Sequence, residues 1–182
     1  MNYEEKTISS TRIYNGSVIT VDALKVLLPN GKEAKRDLVL HPGASVIIPV
    51  TEAGEVYMVS QYRKPIEKIS LEIPAGKLDP GEAPEVCARR ELKEETGLEA
   101  GRITHLISVH STPGFCNEVL HMFLATDLVE GDTCADEDEF LNCEKYTLDE
   151  LVEKILNHEI TDAKTIIGIL LADRMYRNHE IY

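Results

Sequence analysis

The sequence predicts an α/β fold: a mixed β-sheet sandwiched between helices, preceded by an N-terminal β extension. Three observations carry this. Segments alternate as β-rich, helix, β-rich, helices, an order that lays helices over the faces of a sheet. Pro42-Gly43 breaks the chain between an early hairpin pattern and everything after it. Finally, 182 residues that are 43% hydrophobic and 28% charged suit one main core plus an extension. Residues 1–42 are therefore assigned to the extension and 43–182 to the main domain.

The elements follow in chain order. Val18, Leu24, Val26 and Leu28 mark a first β run, Pro29-Asn30-Gly31 a turn, and Asp37-Leu38-Val39-Leu40 a returning strand, so a hairpin is expected from Ser17 to Leu40. Val46-Ile47-Ile48-Pro49-Val50 reads as a buried strand, with Val56–Tyr62 its partner across the Glu52-Ala53-Gly54 turn. Ser70-Leu71-Glu72-Ile73 is a further strand, and Asp79-Pro80-Gly81 a tight turn. A helix is expected from about Ala83 to Thr96. Pro84 suits its first turn, where a missing N–H is harmless, and Gly97 suits a left-handed stop. Strands return at Ile103–Val109 and Val119–Leu128, then near Phe140–Tyr146. Helices at Leu148–Asn157 and Asp162–Arg177 complete the chain.

Charge narrows the function classes. With 19 Lys+Arg against 32 Asp+Glu, the formal net charge is −13 and the sequence pI about 4.9, which opposes non-specific binding to nucleic acid or anionic lipid. The opening Met1-Asn2-Tyr3-Glu4-Glu5-Lys6 lacks the basic flank and apolar run of a signal peptide. No stretch approaches the roughly 18 apolar residues of a membrane span, so a cytoplasmic protein is expected. Cys87, Cys116, Cys134 and Cys143 form no CxxC pair and read as reduced structural residues. The histidines show no repeated spacing and receive no role.

Glu91, Glu94 and Glu95 fall at i, i+3 and i+4 of the expected helix, within an arc of about 100°. Like charges at that spacing repel. The triplet is thus either a solvated acidic face or a site for a hard divalent cation. The wider pattern shifts the balance towards the cation site. Gly76 is followed by Glu82, then Arg90-Glu91-Leu92, then Glu94-Glu95 and Gly97-Leu98. In this spacing the chain resembles a Nudix hydrolase, whose signature has a glycine and a glutamate ahead of an Arg-Glu-aliphatic-any-Glu-Glu-any-Gly-aliphatic run.

The resemblance implies metal-dependent attack of water on a nucleoside diphosphate linked to another moiety. Glu91, Glu94 and Glu95, with a backbone carbonyl such as that of Ala75, would bind Mg²⁺ or Mn²⁺. Arg90 would orient the glutamates, and Glu82 would tie the loop to the helix. Leu92 and Leu98 are core residues on any reading.

Outside the box, the chain is similar to the ADP-ribose pyrophosphatase branch of the family. Ser60-Gln61-Tyr62-Arg63, the lead-in Leu71–Lys77, Pro113 with Gly114-Phe115-Cys116-Asn117-Glu118, and Asp162-Ala163-Lys164-Thr165 carry that likeness. It implies that Arg63 contacts a phosphate or the terminal ribose, that Arg36 frames the adenine and its ribose, and that Pro113, Gly114 and Phe115 belong to a substrate loop. It also implies a homodimer that exchanges the N-terminal extension, with Arg36 serving the partner's site. Tyr14 and Phe115 are the aromatic candidates for stacking on adenine.

The acidic run Ala135–Glu139 lacks the sixth-position glycine of an EF-hand loop beginning at Asp132 or Asp136. By resemblance it would supply the water-activating base, Glu137, with Glu139 as a metal-reaching neighbour. A solvated acidic loop, with a box glutamate as the base, is the alternative. The resulting expectation is hydrolysis of ADP-ribose to AMP and ribose 5-phosphate. Its rivals are a Nudix hydrolase for another ADP-sugar, GDP-mannose or a dinucleotide, and a non-catalytic ADP-ribose-binding module. An intact glutamate triplet opposes the last.

Overall fold

The fold is known from a computed structural model that describes residues 3–131 and 141–182. The chain divides into two compact units, Met1–Gly43 with His110–Val119, and Ala44–Val109 with Leu120–Tyr182. No helix among the described residues is long and apolar enough to cross a membrane.

The first unit is an antiparallel sheet of β1 (Lys6–Asn15), β2 (Thr20–Leu27) and β3 (Glu33–Leu40), in that order. The expected hairpin is its second half, closed at Gly31, whose φ of 80° is left-handed and whose N–H donates to Leu28 O at 2.9 Å. The sequence reading missed β1. All ten of its residues are exposed, so it lacks the half-buried alternation by which a strand is recognised. Residues 110–119 join this unit through the end of β3: Val39 N–H donates to Phe115 O at 2.7 Å, and Asn117 N–H to Val39 O at 3.1 Å. The sequence reading had left them inside 43–182.

The second unit holds β4 (Ala44–Pro49), β5 (Glu55–Arg63), β6 (Lys68–Glu72), β7 (Ala75–Lys77), α1 (Pro84–Thr96), β8 (Leu98–His110), β9 (Val119–Glu130), β10 (Asn142–Thr147), α2 (Leu148–Leu156) and α3 (Ala163–Arg177). The end residues of β8 and β9 run into the first unit. Among the described residues, one sheet has the order β7-β4-β9-β8 and another β10-β5-β6. The first is mixed: β4 runs parallel to β9 and antiparallel to β7.

Every residue of β4 is buried, as in a strand covered on both sides: Val46, Ile47 and Ile48 are apolar, and the buried Ser45 hydroxyl donates to Pro84 O at 2.7 Å. Alternation then sorts the core. Ile47, Phe123 and Ala125 pack with Ala88, Leu92 and Leu98 beside α1. Val46, Ile48, Met122 and Leu124 pack with Leu151, Ile169 and Ala172 of α2 and α3. This is the expected mixed sheet between helices.

Local signals set the helix ends. Pro84 opens α1, and Gly97, at φ 71°, closes it with its N–H on Lys93 O. Thr147 and Glu150 form a reciprocal capping box at α2, and Asp162 caps α3. Two further differences from the sequence reading concern strands: β8 begins at Leu98 rather than Ile103, and β7 was not expected because three residues carry no periodicity.

Gly168 lets α3 approach the sheet. A Cβ there would lie 2.6 Å from Ile73 Cδ1 and 3.1 Å from Ile48 Cγ1. Gly168→Val should destabilise the chain by about 1–3 kcal/mol through overpacking. Urea unfolding should show a lower midpoint with an unchanged slope.

Candidate active site

β7 and the turn after it deliver the chain to α1. Gly76 pairs with Ser45 in β4, Gly81 turns at φ 82°, and Glu82 N–H donates to Asp79 O at 2.9 Å. The Glu82 carboxylate accepts in return from Asp79 N–H at 3.0 Å. Glu91 and Glu95 are buried at 8% and 7% exposure, unusual for carboxylates and in need of compensation.

That compensation centres on Arg90. Its Nε and Nη2 donate to the two Glu82 oxygens at 3.0 and 2.9 Å, its Nη1 to Glu91 at 2.6 Å and to Glu94 at 2.9 Å, and Nη2 also to Lys77 O at 3.2 Å. The Arg90 hydrogen bonds outweigh desolvation and hold the Glu82 carboxyl down at about 2. The hydrogen bond to Glu82 leads the causes that raise the Arg90 pKa. Glu95 instead accepts the Ala75 N–H at 3.0 Å. Gly76 has a steric reason to be glycine: a Cβ there would stand 1.8 Å from a Glu91 carboxylate oxygen.

Chemically, Glu91, Glu94, Glu95 and nearby backbone carbonyls form an all-oxygen donor set, which fits Mg²⁺ or Mn²⁺ and not a soft metal. Among the described residues no three His, Cys, Asp or Glu groups converge as they stand on one ion position. Glu91 and Glu94 are turned onto Arg90, so a cation there would compete with its guanidinium.

Arg63, at the end of β5, forks onto Glu72 at 2.9 and 2.7 Å. Glu72 is 2% exposed and also accepts from Lys164. Burial alone would push the Glu72 carboxyl up; Arg63 and Lys164 outweigh it and hold it at about 2. The sequence reading included Glu72 and Lys164 in the segments of likeness but gave neither a role. The available signal was a glutamate at an inward position of a strand pattern, although its partner lies far away in sequence.

The first unit contains a groove of about 460 Å³ whose lining includes Arg36, Asp37, Pro113, Gly114 and Phe115. It thus brings together the base-framing arginine and the substrate loop of the sequence reading. Arg36 forks onto Glu5 at 2.9 and 2.6 Å. Phe115 is 54% exposed. Tyr14, the other stacking candidate, is absent from the groove lining and folds back over Gly16, where a Cβ would meet its ring at 2.4 Å. Glu137 and Glu139 lie outside the described residues.

A family model for the NUDIX domain matches residues 39–167. The chain belongs to the Nudix family. An ADP-ribose pyrophosphatase of Bacillus subtilis (strain 168) is 45% identical over 168 residues, covering 91% of each chain. A methanol dehydrogenase activator of Bacillus methanolicus is 46% identical over 92% of this chain and 91% of that one. An ADP-ribose pyrophosphatase of Mycobacterium tuberculosis is 34% identical over 92% of this chain and 83% of its own length. The crystal structure of an ADP compounds hydrolase superposes with a TM-score of 0.85 over 98% of this chain and 97% of that one. At 21% identity, that match speaks for the Nudix fold alone.

In this Nudix chain the low carboxyl pKa values have a consequence for stability. The folded-state values of Glu72 and Glu82, about 2, lie below the ordinary 4.5. Their contribution is fully present above pH 4.5 and is lost as the pH falls towards 2. Urea midpoints measured across that window should fall steeply for wild type and less steeply for Glu82→Gln. An unchanged slope in the variant would mean that Arg90 does not hold Glu82 down.

Proposed function

We propose that the chain is a metal-dependent Nudix pyrophosphohydrolase that cleaves ADP-ribose to AMP and ribose 5-phosphate. One observation carries the reading. Glu91, Glu94 and Glu95 are gathered beside β7 by Arg90 and the Ala75 N–H, in a chain 45% identical to a named ADP-ribose pyrophosphatase over 91% of each. A non-catalytic binding module has no need of such an arrangement.

Glu91, Glu94, Glu95 and the Ala75 carbonyl are the proposed holders of Mg²⁺ or Mn²⁺. Bound there, the ion neutralises charge on the diphosphate and lowers the pKa of a water. Arg90 and Glu82 keep the carboxylates and the preceding loop in place. Arg63 donates to a phosphate oxygen, since a guanidinium pinned on one edge still offers donors on another. In the first unit, Arg36, Pro113, Gly114 and Phe115 are the proposed walls for the base. Glu137 accepts the proton of the attacking water as its oxygen bonds to phosphorus and the bridging P–O bond breaks. Glu139 supports it. These two assignments rest on the sequence resemblance.

The test is incubation with Mg²⁺ and a panel of ADP-ribose, other ADP-sugars, GDP-mannose and dinucleotides, with products identified by chromatography. AMP and ribose 5-phosphate should form fastest, EDTA should stop the reaction, and Mg²⁺ or Mn²⁺ should restore it. Glu95→Gln should lower kcat at least ~10²-fold with the fold retained. Near-normal turnover in that variant, or a clear preference for another substrate, would sink the corresponding part of the reading.

We further propose a homodimer formed through residues 1–42. The support is β1, whose Ile8 and Ile13 are 49% and 65% exposed on a long strand with no buried residue. Light scattering at micromolar concentration should give twice the chain mass, and a monomer would overturn the proposal.

A further inference from the structure

Outside the box, the second unit holds a linked set of charges centred on the buried Glu72, which the Nudix signature does not include. Glu72 on β6 is gripped by the Arg63 fork and by the Lys164 ammonium. Lys164, whose side chain is 12% exposed, also donates to Asp162 Oδ2 at 2.9 Å. The same Asp162 oxygen accepts from Thr165 N–H at 3.0 Å and from its hydroxyl at 2.6 Å, and Thr165 Oγ1 accepts from Ile73 N–H at 3.1 Å. The chain of contacts runs from the cap of α3 to the end of β5. Two cations face two carboxylates, so the set is neutral.

Stability is a poor reason to keep it, because a buried ion set is often no better than apolar packing of equal volume. Orientation is a better one. The last torsion of a glutamate is broad, so a single partner leaves the carboxylate plane loosely fixed. Here one Glu72 oxygen, Oε2, is shared between Lys164 and Arg63 Nη2, while Oε1 takes Arg63 Nε. Two cations on different elements therefore set the plane, and the plane sets the guanidinium. Without Lys164, Oε2 loses one of its two donors, and the carboxylate plane rests on the Arg63 fork alone.

We propose that Lys164 is a positioning residue: acting through Glu72, it fixes the Arg63 guanidinium for a phosphate oxygen of the substrate. This rests on the role given to Arg63 above. The fork consumes Nε and Nη2 and turns the Nη1 edge to the ligand. The side chain of Arg63 is 40% exposed and would otherwise sample many rotamers.

The experiment compares wild type, Lys164→Met, Arg63→Ala and the double variant, with Mg²⁺ and ADP-ribose. Lys164→Met should raise KM about tenfold, the size of one charge-assisted hydrogen bond, and leave kcat within about threefold. Added to Arg63→Ala, it should change KM less than about twofold, since the two act as one unit. Glu72→Gln should match Lys164→Met. Independently of turnover, the Arg63 Nε–H signal, assigned with Arg63→Lys, should be slow to exchange in wild type and lost in Lys164→Met. Lys164→Gln replaces the Met variant if the latter unfolds. An unchanged KM, a KM effect of equal size in the Arg63→Ala background, or an unmoved Nε–H signal each overturns the proposal. A wild type that leaves ADP-ribose intact instead overturns the functional reading, while the Nε–H spectra still decide whether Lys164 pins Arg63.

Discussion

Carboxylates one turn apart on a helix repel, and α1 can present three of them because a guanidinium stands among them. Arg90 donates to Glu82, Glu91 and Glu94 and to the Lys77 carbonyl, so one side chain joins the loop to two successive turns of the helix. Its interactions work in two directions. They lower the repulsion that would fray α1, and they fix the turn through which β7 reaches the helix. Gly76 belongs to the same constraint, because only a residue without a Cβ leaves room for the Glu91 carboxylate against the strand. A divalent cation would take over part of the charge that Arg90 now balances.

The box was legible because its residues are local. Glu91, Glu94 and Glu95 declare themselves by helical spacing, and Pro84 and Gly97 mark the two ends of the helix that carries them. β4 was legible for the same reason, from the apolar run Val46–Val50. What escaped the reading either has no pattern or is assembled over distance. β1 has no buried face, β7 is a single pairing of three residues, and the Glu72–Lys164 contact joins residues 92 positions apart. Resemblance singled out Arg63 as a contact to a phosphate or the terminal ribose but could not show that a buried glutamate holds it. The groove that unites Arg36 with Pro113, Gly114 and Phe115 likewise depends on the pairing of β3 with residues 115–117, which no local signal announces.

The net charge of −13 sets this chemistry an additional condition. A diphosphate approaching an acidic protein gains nothing from the long-range field, so attraction must be local. The two arginines that the sequence reading assigned to the substrate are already engaged: Arg36 with Glu5 and Arg63 with Glu72. Each is a preformed pair rather than an unattached cation, and the Arg63 fork uses Nε and Nη2 while its Nη1 lies outside the fork. Such pairs favour a ligand that matches their orientation over any anion of the same charge.

The parallel pairing of β4 with β9 bears on how the chain assembles. These strands, residues 44–49 and 120–125, enclose in sequence the whole of β5 to β8 and α1. Their pairing must therefore wait for a large loop to close, an entropic toll that slows folding. On the ribosome the consequence is an order of events. The Nudix box is synthesised before Phe123 and Ala125, the residues that complete the cover over Ala88 and Leu92. The glutamate helix thus emerges with its apolar side open, and its final setting comes only once the later strand has left the exit tunnel.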